Sequence, residues 1–147
     1  MDATRIRPAH AADAGRLQAI ARAAYAKYVP RLGREPAPMS ADYAAAIAAA
    51  HAAVIERDGT IAGYLIGCPD GDSYFIENIA VDPAFQGGGL GGALLRHAIA
   101  EARRLKLASV WLFTNAVMTE NRALYAEQGN GLLFPHHLNH LQMHWKS

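Results

Sequence analysis

The chain has 147 residues, of which 52% are apolar and 18% charged. That balance suits one folded domain with its own core and excludes a disordered chain. Fourteen Lys+Arg against thirteen Asp+Glu leave a formal charge of +1, which gives no electrostatic reason to expect a nucleic-acid or membrane partner.

In chain order, "TRIRPA" alternates polar and apolar residues and stops at a proline, as a short first strand does. "DAGRLQAIARAAYAKYV" sets Leu17, Ile20, Ala24 and, near its end, Val29 at helical spacing, with Asp13 as the expected cap. "PRLGREPAP" reads as a loop. Ser40 or Asp42 then opens a helix over the alanine-rich "ADYAAAIAAAHAA". "AAVIERDGTIAGYLIGCP" is the clearest hairpin, two β-rich runs around Asp58-Gly59, a dipeptide suited to a type I′ turn. "SYFIENIAV" is a further strand, closed by Asp82-Pro83. From Leu90 the pattern turns helical, with Leu94, Ala98, Ala102 and Leu105 on one stripe. "SVWLFTN" reads as a strand, "TENRALYAEQ" as a short helix stopped at Gly129, and "LLFP" and "HLQMHWK" as two last strands. This order predicts an α/β (α+β) fold in which an antiparallel section leads into a βαβ unit. A mixed, mostly antiparallel central sheet with flanking helices packs such elements best, as a single domain over 1–147.

The N-terminal "MDATRIRPAH" lacks the apolar core and cleavage site of a signal peptide, and no apolar run approaches the ~20 residues that cross a bilayer. The cytoplasm is the expected compartment. Cys68 is the single cysteine, at the end of an apolar strand, and is expected to be a buried structural thiol.

The stretch "VDPAFQGGGLGGALL" carries five glycines in the six positions 87–92. Gly87, Gly89 and Gly92 satisfy the Rossmann spacing G-x-G-x-x-G. However, "DPAFQ" separates them from the strand, and "SVWLFTN" carries no acidic residue for a ribose. A Walker A reading fails because Ala93 and Leu94 stand where Lys and Ser/Thr are needed. A third reading is a pyrophosphate cradle of another kind, in which amides leading into a helix N-terminus meet the anion. Glycine admits phosphate to the backbone without interference from Cβ.

This stretch resembles the acetyl-CoA-binding motif of the GNAT (Gcn5-related) N-acetyltransferases, Q/R-x-x-G-x-G/A, satisfied here by Gln86, Gly89 and Gly91. The likeness extends to "LFTNAVMTENRALYAEQG" and to "TRIRPAHAADAGRL", so it covers nearly the whole chain. It implies the GNAT acyl-CoA N-acyltransferase fold, acetyl-CoA as cosubstrate and an amine-bearing acceptor. It implies further that Ile79, Ala80 and Val81 pair with pantetheine through their main chain. Gln86, Gly87, Gly88, Gly89, Leu90, Gly91 and Gly92 would hold the pyrophosphate, and Asn121 and Tyr125 would flank the thioester. Four-residue spacing puts the last two on one helix face.

Transfer to an amine needs a deprotonated nucleophile. For an ammonium of pKa near 10.4 this costs about 4–5 kcal/mol at pH 7. Glu77 is the candidate base, with the alternative that it is a solvated strand carboxylate. Period two sets Glu77, Ile79 and Val81 on one face and Asn78 with Ala80 on the other. Tyr125 is the candidate donor to the leaving sulfur. Tyr25, Tyr28 and Arg31 are candidates for the acceptor site by their position, with helix surface and loop packing as the alternative.

The chain departs from the family where "EQGNGLLFPHH" has Asn130 and Gly131 in place of an aromatic after the glycine. Four of its seven histidines, His136, His137, His140 and His144, lie in the last twelve residues. On a strand His140 and His144 stand about 13 Å apart, too far for one metal ion, so no metal site is expected. The functional reading is an acetyl-CoA-dependent N-acetyltransferase, for which the family makes a homodimer a common state. The alternatives are a non-catalytic acyl-CoA-binding or sensing module on the same fold and a His-rich metal-binding protein.

Overall fold

A computed structural model describes residues 4–26, 29–33, 39, 41–113, 133–136 and 140–144. The chain divides into two compact units, residues 1–66 with 79–91 and residues 67–78 with 92–147.

The first unit holds β1 (Thr4–Pro8), a 3-10 turn (Ala11–Asp13), α1 (Ala14–Tyr25), α2 (Val29–Leu32), α3 (Tyr43–Ala48) and β2 (Ala52–Arg57). Most of β3 (Thr60–Asp70) and the end of β4 (Ser73–Val81) also belong to it. β1 pairs antiparallel with β2, and β2 with β3. The β2–β3 turn is the one the sequence predicts: Asp58 and Gly59 have φ of 53° and 82°, as type I′ requires. The ladder slips between Ile55, opposite Gly63, and Glu56, opposite Ile61, which leaves Ala62 as the extra residue of a bulge. Leu17, Ile20 and Ala21 of α1 are buried, as are Val54, Ile55, Tyr64 and Leu65 of the strands. The Tyr43 and Tyr64 hydroxyls meet at 3.0 Å, their rings edge to face.

Asp13 does precede α1, but its carboxylate does not cap that helix. It accepts from the His10 amide at 2.7 Å and from Arg7 Nη1 at 2.9 Å instead. The Arg7 guanidinium is the main cause holding the Asp13 carboxyl below its usual range. The stabilisation is therefore complete above the ordinary carboxylate pKa and lost as pH falls through the lowered one. "PRLGREPAP" does not begin as a loop, because Val29–Leu32 form one helical turn, and Pro30 at its second position gives up no helical hydrogen bond. The alanine-rich helix opens at Asp42, whose Oδ1 accepts from the Ala45 amide, but it ends at Ala48, well short of the alanine run. His51 N–H donates to Ala46 O and Ala50 N–H to Ile47 O, with Ala50 at φ 61°. This is a Schellman ending with alanine where glycine is favoured. Replacing Ala50 by Gly is expected to stabilise the protein by about 1 kcal/mol, seen as a raised Tm in thermal denaturation.

The second unit holds the remainder of β3 and β4, most of α4 (Leu90–Arg104), β5 (Ser109–Phe113), β6 (Leu133–His136) and β7 (His140–His144). Gly71, at φ 60°, opens the tight turn from β3 to β4. β4 and β5 run parallel, Ser73 opposite Ser109 and Ile76 opposite Leu112, with α4 as the crossover the sequence pattern requires. β5 pairs antiparallel with β7, and β7 with β6. The sheet is thus mixed and mostly antiparallel, as expected. Leu94, Ala98 and Ala102 of the expected stripe are fully buried, joined by Leu95 and Ile99. Leu105 leaves the stripe at 37% exposure. It caps the helix in a second Schellman ending, in which Leu107 N–H reaches Ala102 O and Lys106 sits at φ 60°.

Residues His140–His144 are extended, within the strand expected over "HLQMHWK". Among the described residues no group of His, Cys, Asp and Glu is arranged to hold a metal, and no helix is long and apolar enough to cross a membrane. The late helix expected over "TENRALYAEQ", with Asn121, Tyr125 and Gly129, lies outside the described residues, as does Tyr28.

Candidate functional site

The site is built where β4 ends. Asp82 follows the strand, and its amide donates to Ala62 O at 2.8 Å, which ties the exit of β4 to the bulged residue of β3. Gly63 lets the two strands close: a Cβ there would meet Ala80 O at 2.7 Å and Val81 Cα at 3.3 Å. The Asp82 carboxylate caps the next turn through the Ala84 amide at 3.0 Å and accepts from Arg16 Nη2 at 2.7 Å. Arg16 also donates from Nε and Nη2 to Ile61 O. One guanidinium on α1 therefore grips both the β3 backbone and the turn after β4.

Strand amides alternate in direction. Asp82 N–H points at β3, so the main-chain groups of Ile79 and Val81 point away from it. Among the described residues, two side chains reach those groups. Tyr25, at the end of α1 and 6% exposed, donates its hydroxyl to Ile79 O at 2.9 Å. Gln86 Nε2 approaches Val81 O at 3.4 Å. Tyr25, singled out in the sequence for the acceptor pocket, is thus buried, and what it touches is the strand expected to meet pantetheine. Arg31 lies in the one-turn α2.

After a 3-10 turn over Pro83–Phe85, the chain enters the glycine stretch. Gly87 and Gly89 adopt φ of 88° and 77°, left-handed values that L side chains avoid. Gln86, Gly87, Gly88 and Gly89 are exposed, Leu90 is buried and Gly92 is buried. Leu90 begins α4, so Leu90, Gly91 and Gly92 carry first-turn amides that no helical carbonyl can accept. The positive end of a 15-residue helix adds its field at the same place. Among the described residues a Cβ at Gly87 or Gly89 would meet nothing within 4 Å, so those residues leave open space over the loop. Exposed amides, left-handed glycines and open space suit a pyrophosphate group.

Glu77 lies on β4 and is exposed. The alternation expected of β4 holds from Tyr74 to Glu77 and then breaks: Asn78, Ile79 and Ala80 are all buried. Cys68 is half-buried, more open than the sequence predicts. Burial and the nearby Glu77 and Asp70 push its thiol up, so it stays protonated and unreactive at neutral pH. Burial is also the main reason the Tyr74 hydroxyl is pushed up to about 12. The supporting roles of Arg16 and Asp82 have no signal in the spacing beyond Asp-Pro after a strand, a common turn opening.

The family model for the acetyltransferase (GNAT) family matches residues 17–130. The chain belongs to the GNAT family. It is 37% identical over 75 residues to the [ribosomal protein bS18]-alanine N-acetyltransferase of Escherichia coli (strain K12); the match spans 51% of this chain and 51% of that relative. The chain therefore aligns with only about half the length of that GNAT relative. Among solved structures, the PaiA N-acetyltransferase of Thermoplasma acidophilum in complex with coenzyme A superposes with a TM-score of 0.84 at 12% identity, covering 97% of this chain and 99% of that one. The ribosomal-protein-S18-alanine N-acetyltransferase of Escherichia coli superposes with a TM-score of 0.72 at 22% identity, over 99% and 96%. At these identities the superpositions establish the GNAT fold.

Proposed function

We propose that this chain is an acetyl-CoA-dependent N-acetyltransferase that moves the acetyl group to a primary amine, in the cytoplasm. The observation that carries this reading is the exposed loop Gln86–Gly89, with two left-handed glycines, between the anchored end of β4 and the first turn of α4. A pyrophosphate fits there by the amides of Gly87 to Gly92, and pantetheine along Ile79–Val81. Its reading as one domain is supported by the family match, which runs through both compact units.

In this reading the acceptor nitrogen attacks the acetyl carbonyl carbon, the carbon–sulfur bond breaks and coenzyme A leaves as a thiol. Glu77, exposed and two residues before Ile79 on the same strand, takes the proton of the ammonium directly or through water. A backbone amide near Val81 polarises the carbonyl. Tyr125 returns a proton to the departing sulfur, and Asn121 flanks the thioester. Tyr28 and Arg31 are the candidates for contact with the acceptor. Since the Escherichia coli relative is named for an alanine of a ribosomal protein, a peptide with N-terminal alanine belongs in the acceptor panel beside small amines.

Calorimetric titration with acetyl-CoA, CoA and dephospho-CoA tests the cofactor. Micromolar, near-stoichiometric binding is expected, and no binding by the folded protein would sink the assignment. An amine panel read by thiol release then tests the transfer, with Glu77→Gln and Tyr125→Phe slower than the parent. Binding without thiol release for any amine would favour the acyl-CoA sensing module.

A further inference from the structure

Arg57 is the last residue of β2, held on both sides by pairing with Thr4 of β1 and Thr60 of β3. From this fixed base its guanidinium crosses to the glycine loop, where Nη2 donates to Gly88 O at 3.1 Å. The group lies against the Gly88 backbone: a Cβ on that residue would come within 2.8 Å of Nη2 and 3.0 Å of Cζ, and closer still to Nη1. Gly88 is therefore a glycine for a different reason from its neighbours. Its φ is not left-handed; the guanidinium occupies the place of its side chain.

We propose that Arg57 is a positioning residue for the phosphate-binding loop, acting through the Gly88–Gly89 peptide. In a planar trans peptide the carbonyl of one residue and the amide of the next point in opposite directions. Holding Gly88 O against the guanidinium turns Gly89 N–H the other way, away from Arg57. Three glycines in a row give this loop many conformations to lose when an anion binds. A fixed Gly88 peptide removes part of that loss before binding. The guanidinium is a cation, so its field favours a phosphate. The sequence motif gives no sign of this role, because Arg57 stands 31 positions before Gly88 in the chain, beside a hairpin turn.

The inference rests on the acetyl-CoA reading, and calorimetry separates the two. Arg57→Ala and Gly88→Ala are each expected to weaken CoA about tenfold, the worth of one charge-assisted hydrogen bond. Gly88→Ala does so with every charge retained, since its methyl displaces the guanidinium. Arg57→Lys keeps the charge but not the planar fork, and should recover only part of the loss. CoA and dephospho-CoA should lose equally, because both carry the pyrophosphate. A loss confined to CoA would assign Arg57 to the 3′-phosphate and overturn the route through Gly88. So would wild-type affinity in Arg57→Ala, or losses that track a fall in Tm across the variants. A parent protein that binds neither ligand would instead overturn the acetyl-CoA reading.

Discussion

Gly63→Ala is expected to cost about 2 kcal/mol of stability, a fall in Tm of roughly 4–8 °C for a chain of this size, and to weaken acetyl-CoA at the same time. The new methyl would stand 2.7 Å from Ala80 O and 3.3 Å from Val81 Cα. Both atoms are backbone, so no side-chain rotation relieves the clash and β4 itself has to shift. The residues that shift, Ala80 and Val81, lie in the segment along which pantetheine is proposed to run. Asp82 just beyond is tied to Ala62 O and Arg16, so the strand cannot yield freely. Gly15→Ala is the control: it lies in α1, where a Cβ would meet nothing within 4 Å and where Ala is the better helix former. Thermal denaturation and calorimetry on the two variants decide the matter. An unchanged Tm in Gly63→Ala would mean that β3 and β4 do not approach so closely.

Gly89→Ala separates binding from folding in the opposite way. Among the described residues no atom beyond its chain neighbours lies within 4 Å of the added methyl, so the cost to the folded state is that of an alanine at φ 77°, about 1–2 kcal/mol. If a pyrophosphate occupies the open space, the methyl intrudes on it and the strained loop misdirects its amides. Losing two hydrogen bonds to a charged group is worth about 3 kcal/mol or more, a loss of affinity of roughly a hundredfold or greater. Calorimetry with acetyl-CoA should therefore register a change far larger than the shift in Tm implies. Equal affinity in parent and variant would place the pyrophosphate elsewhere.

How far the sequence reveals this molecule depends on how local each cause is. The Asp58-Gly59 turn is legible because both residues tolerate positive φ and two β-rich runs flank them. α4 is legible because its buried positions recur at helical spacing. The alanine run is not: every residue in it favours helix, so nothing local marks Ala48 as the end, and the Schellman ending falls on an alanine where a glycine would have announced it. The one-turn α2 is too short for any period to show. In the site, the glycine loop stands out in the sequence because its composition is extreme, and the left-handed Gly87 and Gly89 fall within it. Its supports do not, since Tyr25 meets Ile79 across 54 positions and Arg16 meets Asp82 across 66. The break in alternation at Asn78–Ala80 is hidden for the same reason: it arises from what packs on both faces of β4.

The first compact unit is discontinuous in the chain, residues 1–66 and then 79–91, and this has a consequence for synthesis. At about 5–20 residues per second, the ribosome needs roughly one to three seconds to pass from the start of residue 67 to the end of residue 82. Through that interval β1, α1, β2 and the first part of β3 exist without the strand that covers Gly63, and Arg16 exists without Asp82. An open strand edge of this kind is where nascent chains associate wrongly. The glycine loop, made last within its unit, is also the segment whose arrival closes it.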